Sequence, residues 1–434
     1  MEPLSAKQTS CATTPRGRRL GIQLNALRSR AYRRFWLGSL ASVGGTQLLV
    51  LGQGWLVFEL SGSPFDLGLL GAAVAIPSIL MTLFGGVFAD RLDKRRLLMT
   101  TSLIVAGLLV LLSVLDLTGV VVVWHVLVIA GLIGLVSGFD WPARQAVFPS
   151  LIDREHMMSA VALNSILWQG TRMIVPAAGG VVIAITDTAV VFIAAAAGFI
   201  YMFLVLTSLD IGHVVRARGA SVGQFLAGVS FVTNNRLFGG LILLTWVNMF
   251  FGTSFIQLMP AFADLLGAGE RGFGVLVSTS GIGSITGTVL VGAFQRARRL
   301  GWIMLAAILL SASALYGFSL ITGFAESIAG VFYVALLFVF LTALFSSVYL
   351  ITSMTTLQLR VPDSLRGRVM GIHGIGFSLI SLGGLFGGAV AAASTLPLAV
   401  AAGASVVLLV VIWVGVTQTE IRSLDGRTLE AAHA

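Results

Sequence analysis

Twelve runs of predominantly apolar residues leave this chain few ways to fold. They lie at 34–59, 66–89, 97–116, 120–146, 157–186, 188–208, 236–263, 271–295, 301–322, 326–357, 366–394 and 396–417. A helix needs about 20 such residues to cross a bilayer. Lipid offers no hydrogen bonds, so a spanning backbone must satisfy its own, and each run is expected to be an α-helix. Charged residues make up only 10% of the chain, against about 25% in soluble domains. The formal net charge of +9 alone would admit a nucleic-acid partner, but the positions of the cations exclude it. Of the 27 Lys and Arg, 25 lie in the two tails or at the run ends and junctions of one side; Arg271 falls on the other side and Arg172 deep inside a run. That asymmetry is the positive-inside pattern of a multi-pass protein of the cell (inner) membrane with both termini cytoplasmic.

The runs group into an order of segments. Residues 1–33 form a basic tail, 34–208 a six-helix half, 209–235 a polar cytoplasmic linker, 236–417 a second six-helix half, and 418–434 a second tail. The first tail lacks the apolar core and cleavage site of a signal peptide; its Arg-rich, acid-poor character also fits a transit peptide. Thr186-Asp187-Thr188 and Ser394-Thr395 must each hold a tight turn. Offsets of 206 and 209 residues align parts of the two halves, bringing Gly86 onto Gly292 and Asn164 onto His373. Cys11 is the only cysteine, which excludes an intrachain disulfide and a cysteine metal site. There is no phosphate-binding G-x-x-x-x-G-K-S/T loop, no His/Asp/Glu cluster and no Ser/His/Asp arrangement. No cofactor, metal or enzymatic activity is expected.

Between the second and third runs lies Gly85-Gly86-Val87-Phe88-Ala89-Asp90-Arg91-Leu92-Asp93-Lys94-Arg95-Arg96. Asp90 would end a helix, where the dipole disfavours an anion, so it needs a partner such as another helix's N-terminus. The glycines allow a neighbouring helix to come close. This pattern, with Gly86, Asp90, Arg91, Arg95 and Arg96, resembles the loop between helices 2 and 3 of major facilitator superfamily transporters. Pro362-Asp363-Ser364-Leu365-Arg366-Gly367-Arg368 resembles that superfamily's entry to helix 11. Ser42, Gly45, Ser63 and Pro64 resemble the enterobactin-exporter-like efflux branch, with Thr46 where that branch has an acid. The resemblance implies an all-α fold of twelve helices in two pseudo-symmetric halves. It also implies a gating contact of Asp90 with the turn around Leu365 to Val369. A loop that only sets topology is the other reading.

Few polar residues fall inside the runs. Asp140 and Arg144 are four apart and share a helix face; a proton carrier and a structural ion pair both fit. Arg172 is a cation within a span, which must face a cavity or find acceptors. Anion binding, a distant carboxylate and helix-end carbonyls are its possible partners. Pro176, Gly179 and Gly180 resemble part of the superfamily's antiporter motif in helix 5, with Val175 where a glycine precedes the proline. Asn164 and His373 complete the transport and coupling candidates. Cavity candidates are Gln47, Gln53, Trp246, Asn248, Gln257 and Tyr349. Gln47 and Gln53 are six apart, about 240° around a helix, so one is expected to line a cavity and the other to bond a neighbour. Together these features imply proton-coupled efflux of a small amphiphilic solute, drug-like or a siderophore, by a monomer. Uptake, lipid movement and a non-transporting sensor or partner subunit are the alternatives.

Overall fold

The computed structural model describes residues 25–89, 93–209, 222–294, 297–325 and 330–426. Twelve helices among them are long and apolar enough to cross a membrane. The first half comprises α1 (Arg30–Ser61), α2 (Pro64–Ala89), α3 (Lys94–Leu117), α4 (Val123–Val147), α5 (Met157–Ile185) and α6 (Thr188–Thr207). In the second half, α7 runs from Arg236 to Leu265 in four segments. It is followed by α8 (Gly269–Phe294), α9 (Leu300–Thr322), α10 (Val331–Arg360), α11 (Asp363–Ala393) and α12 (Leu396–Thr417). The polar segment between the halves holds a helix of its own, Val222–Asn234.

Local chemistry sets the helix starts. Ser29 caps α1 by accepting from the Tyr32 N–H. The Asp93 carboxylate accepts from the N–H groups of Arg95 (2.8 Å) and Arg96 (3.2 Å) at the start of α3. Asn235 does the same for Leu237 and Phe238 at the start of α7. Such caps are worth about 1 kcal/mol each. Asp187 and Thr395 cap α6 and α12 and close the two tight turns that the sequence requires. α7 departs from the single helix expected over 236–263. It is α-helical over Arg236–Val247, π-helical over Asn248–Thr253, 3-10 over Ser254–Leu258 and α-helical again over Met259–Leu265.

The packing repeats between the halves. In the first, α2 packs on α4, α3 on α4 and α6, and α1 on α6; in the second, α8 packs on α10, and α9 on α10 and α12. One apolar cluster, around Leu109 and Phe192, runs from the first half into the second through Phe255, Phe262, Phe273 and Phe318; another, around Leu241 and Tyr349, lies within the second half. The halves meet chiefly along two helix pairs, α2 with α11 and α5 with α8. Six helices on, α2 corresponds to α8 and α5 to α11, so the two pairs exchange under the repeat.

Candidate functional site: a cleft between the halves

Glycine permits the two inter-half seams. A Cβ on Gly68 of α2 would stand 2.7 Å from the Cα of Leu385 on α11, and one on Gly71 would stand 3.0 Å from the Ser381 carbonyl. On the other seam, a Cβ on Gly180 of α5 would stand 2.6 Å from the Glu270 carbonyl of α8. One on Gly274 would stand 2.5 Å from that of Pro176. Pro176 has no N–H, so the Arg172 carbonyl four residues back has no helical donor. The Ala177 N–H donates to Ser278 Oγ of α8 at 2.8 Å. The Pro-Ala-Ala-Gly-Gly segment is therefore the crossing point of the halves.

Both seams are tight at one end. α2 and α11 touch from Pro64 and Gly388 to Gly71 and Ser381. Further along α11, toward the Arg95–Arg96 end, a Cβ on Gly374, Gly371 or Gly367 would meet none of the described residues within 4 Å, and the same holds for Gly170 of α5. The halves thus close at the end that carries Ser63 and Pro64 and part at the opposite end. Trp55 of α1 stacks on Phe273 of α8 at the closed end, with ring centroids 6.1 Å apart.

A cavity of about 190 Å³ lies where the cleft closes, lined by α1, α2, α5, α7, α8 and α11. Its polar lining is neutral: Gln47, Gln53, Gln257 and Ser381, together with Pro176. The Gln257 side-chain N–H donates to Ser381 Oγ at 3.4 Å. Gln53 is 4% exposed, and its side-chain nitrogen has no acceptor among the described residues. Both helix-1 glutamines line this one cavity, against the expectation that only one would. The face arithmetic holds for Gln47; Gln53 reaches the cavity from the flank of α1.

Asp140 and Arg144 stand elsewhere, inside the first half. The Arg144 guanidinium donates to Asp140 through Nε (3.2 Å) and Nη2 (3.4 Å), and through Nη1 to Ser39 (3.2 Å) and Ser42 (3.1 Å) of α1. Thr101 of α3 donates to Asp140 Oδ1 at 3.3 Å. The pair therefore ties three helices together. It borders a separate cavity of about 60 Å³ that Thr46, Ser137 and Trp168 also line. That volume accommodates more than one water molecule. Thr46, at the position of the missing helix-1 acid, faces this chamber.

Two of the proposed cavity residues are not in the cleft. Asn248 is 1% exposed and donates to Ser346 Oγ of α10 at 2.9 Å. Tyr349 is fully buried and donates to the Leu241 carbonyl at 2.9 Å. Both are held inside the second half, since a polar group buried there must be hydrogen-bonded. The Trp246 ring N–H donates to the Ile372 carbonyl, joining α7 to α11. His373 is 3% exposed, and its Nε2 has no hydrogen-bond partner among the described residues. Asn164 is half-buried on α5. Arg172 lies midway along α5, exposed although it sits deep in the body of the protein. Among the described residues it pairs with no carboxylate.

The charged-loop signatures are described in part. Gly86 lies within α2, while Asp90 and Arg91 fall outside the described residues. Arg95 donates to the Leu206 and Thr207 carbonyls, both at 2.8 Å, and so caps the C-terminal end of α6. Arg96 is exposed. Asp363 opens α11 after Pro362, where the signature places a helix start, with Arg366, Gly367 and Arg368 in the first two turns. Arg368 packs against Gly228 of the Val222–Asn234 helix. Sequence reading missed Ser39, Thr101 and Ser278. Each is an ordinary hydroxyl whose partner lies on a distant helix. The spacing of Gly274, Ser278 and Gly281 was the available signal for a small-residue face on α8.

Two six-helix halves, crossing at glycine seams around a shared cleft, define a transporter with the architecture of the major facilitator superfamily. The chain belongs to the family of transmembrane secretion effectors, whose model matches residues 22–433. It is 26% identical over 342 residues to the Staphyloferrin A transporter of Staphylococcus aureus, covering 77% of this chain and 83% of that protein. It is 27% identical over 363 residues to the Enterobactin exporter EntS of Shigella boydii, covering 81% and 83%. Among solved structures it resembles a bacterial homologue of the human lysosomal transporter Spinster. The TM-score there is 0.69 at 15% identity, over 94% of this chain and 98% of that one. A bacterial homologue of the iron transporter ferroportin gives 0.70 at 13% identity, over 88% and 98%. At these identities the structural likeness establishes the fold.

Proposed function

We propose that this membrane transporter exports a small amphiphilic solute, siderophore-like or drug-like, by proton-coupled alternating access. The observation that carries this reading is the cleft. Both halves build its closed end, and the same seams part at the other end. Rocking of the halves would move the opening from one side to the other. The excess of Lys and Arg on the open side favours a cytoplasmic opening in this state, with both termini inside. The siderophore relatives favour a solute of that size, and the exporter among them favours outward movement. For coupling, the chemistry favours Asp140, an acid at membrane depth beside a chamber with room for water.

The test is flux in sealed inside-out vesicles, loaded with the full chain and challenged with siderophores and amphiphilic dyes. We expect uptake into the vesicles that rises when their interior is made acidic and collapses with an uncoupler. Movement in the opposite sense would replace export with uptake. Absence of flux for every solute would remove transport.

A further inference from the structure

The geometry points to Arg172 as an anion-binding residue of the cleft, so that the solute is an organic acid whose carboxylate meets this guanidinium. The inference rests on the cleft being the transport path. Fifteen residues into α5, Arg172 lies about 22 Å from the helix start. Its direction follows from its neighbours. Ile174, two residues on and about 200° around the helix, is 59% exposed on the outer surface of the half. Pro176, four residues on and about 40° around, lines the cavity at the closed end of the cleft. A Cβ on Gly179, seven residues on and about 20° from Arg172 around the helix, would meet Leu48 and Leu51 of α1. Arg172 therefore projects into the space between α1 and α8, one turn below the cavity.

Nothing described in that space neutralises it. The cavity's polar groups, Gln47, Gln53, Gln257 and Ser381, are uncharged. Asp140 is engaged by Arg144 in a different chamber. An unpaired cation at membrane depth is costly, and such residues mark a pathway or a ligand's counter-ion. A guanidinium presents a planar fork that matches a carboxylate's two oxygens. The neutral ceiling above it offers the carboxamides of Gln47 and Gln257 as donors and acceptors. The two features together select a solute with one acid group and a neutral, hydrogen-bonding body.

The test uses purified full-length protein in detergent near neutral pH, with matched acid and amide probes: salicylate with salicylamide, and 4-phenylbutyrate with its amide. Binding is read by calorimetry in the parent, Arg172→Gln and Arg172→Lys. We expect each acid to bind about tenfold tighter than its amide, the factor that about 1.4 kcal/mol of charge-assisted hydrogen bonding gives. Arg172→Gln should bring the ratio near one, while Arg172→Lys keeps part of it. Melting temperature and unchanged amide affinity report that the variants fold. A ratio near one in the parent, a ratio unmoved by Arg172→Gln, or no binding of either acid at millimolar concentration overturns the site. Flux in vesicles without acid preference would overturn the site and leave export standing. Acid preference in a protein that moves no solute would keep the site and remove export.

Discussion

At the scale of residues, hydrogen-bond partners decide which polar groups serve the path. Asp140 and Arg144 were legible as a pair because a four-residue spacing is local. Their ties to Ser39, Ser42 and Thr101 were not, because those partners lie on other helices. Asp140→Asn keeps the shape but leaves the Arg144 guanidinium without its counter-ion. Arg144 is 9% and Asp140 26% exposed at the side chain, so the cost is at or below the 3 kcal/mol or so of breaking a buried pair. Gradient-driven flux should be lost while solute binding persists, and Asp140→Asn with Arg144→Gln should recover much of the lost stability. Full flux in the single variant would exclude Asp140 from coupling and turn attention to His373. Tyr349 makes the opposite case. Tyr349→Phe removes the bond to the Leu241 carbonyl, which still accepts from Thr245 Oγ1, so it should lower stability by roughly 0.5–1.5 kcal/mol. Solute affinity, measured by calorimetry, should stay unchanged.

At the scale of elements, the twelve helices followed from run length, while their starts are set by capping residues such as Asp93, Asp187 and Asn235. The π-helical stretch of α7 did not. Asn248 and Gly252 carry no local pattern for it, and the Asn248 side chain is fixed by Ser346 nearly a hundred residues away. Ideal helix angles therefore do not carry from Asn248 through to Gln257. The seams were half legible: Pro176, Gly179 and Gly180 stood out, and their partners on α8 did not. A side chain at Gly274 would collide with the Pro176 carbonyl, 2.5 Å from its Cβ. Gly274→Val should wedge the α5–α8 seam open. Insertion and amount in the membrane should match the parent, while vesicle flux falls by about tenfold or more, since seams of this kind depend on small residues. Flux at the parent's rate would show that the seam does not carry the transition.

At the scale of the whole molecule, the cation distribution and the repeat of helix packing point the same way. In the proposed reading, the cations set the topology and the packing sets the axis about which the halves would move. Single cysteines at Ser63 and Arg95, in a Cys11→Ser background, should react with an impermeant reagent from opposite sides of the membrane. Reaction of both from outside would contradict the twelve-span arrangement. The proposed latch between Asp90 and the first turn of α11 belongs to the state in which the basic end is closed. The most direct test of the account measures both ends of the molecule at once. Spin labels at Ser63 and Ser394 report the closed end, and labels at Arg96 and Arg298 report the open end. Pulsed distance measurements would be made in lipid, with and without a transported solute and at two pH values. The account predicts reciprocal changes, with the first distance lengthening as the second shortens. Distances that stay fixed, or that lengthen and shorten together, would contradict alternating access.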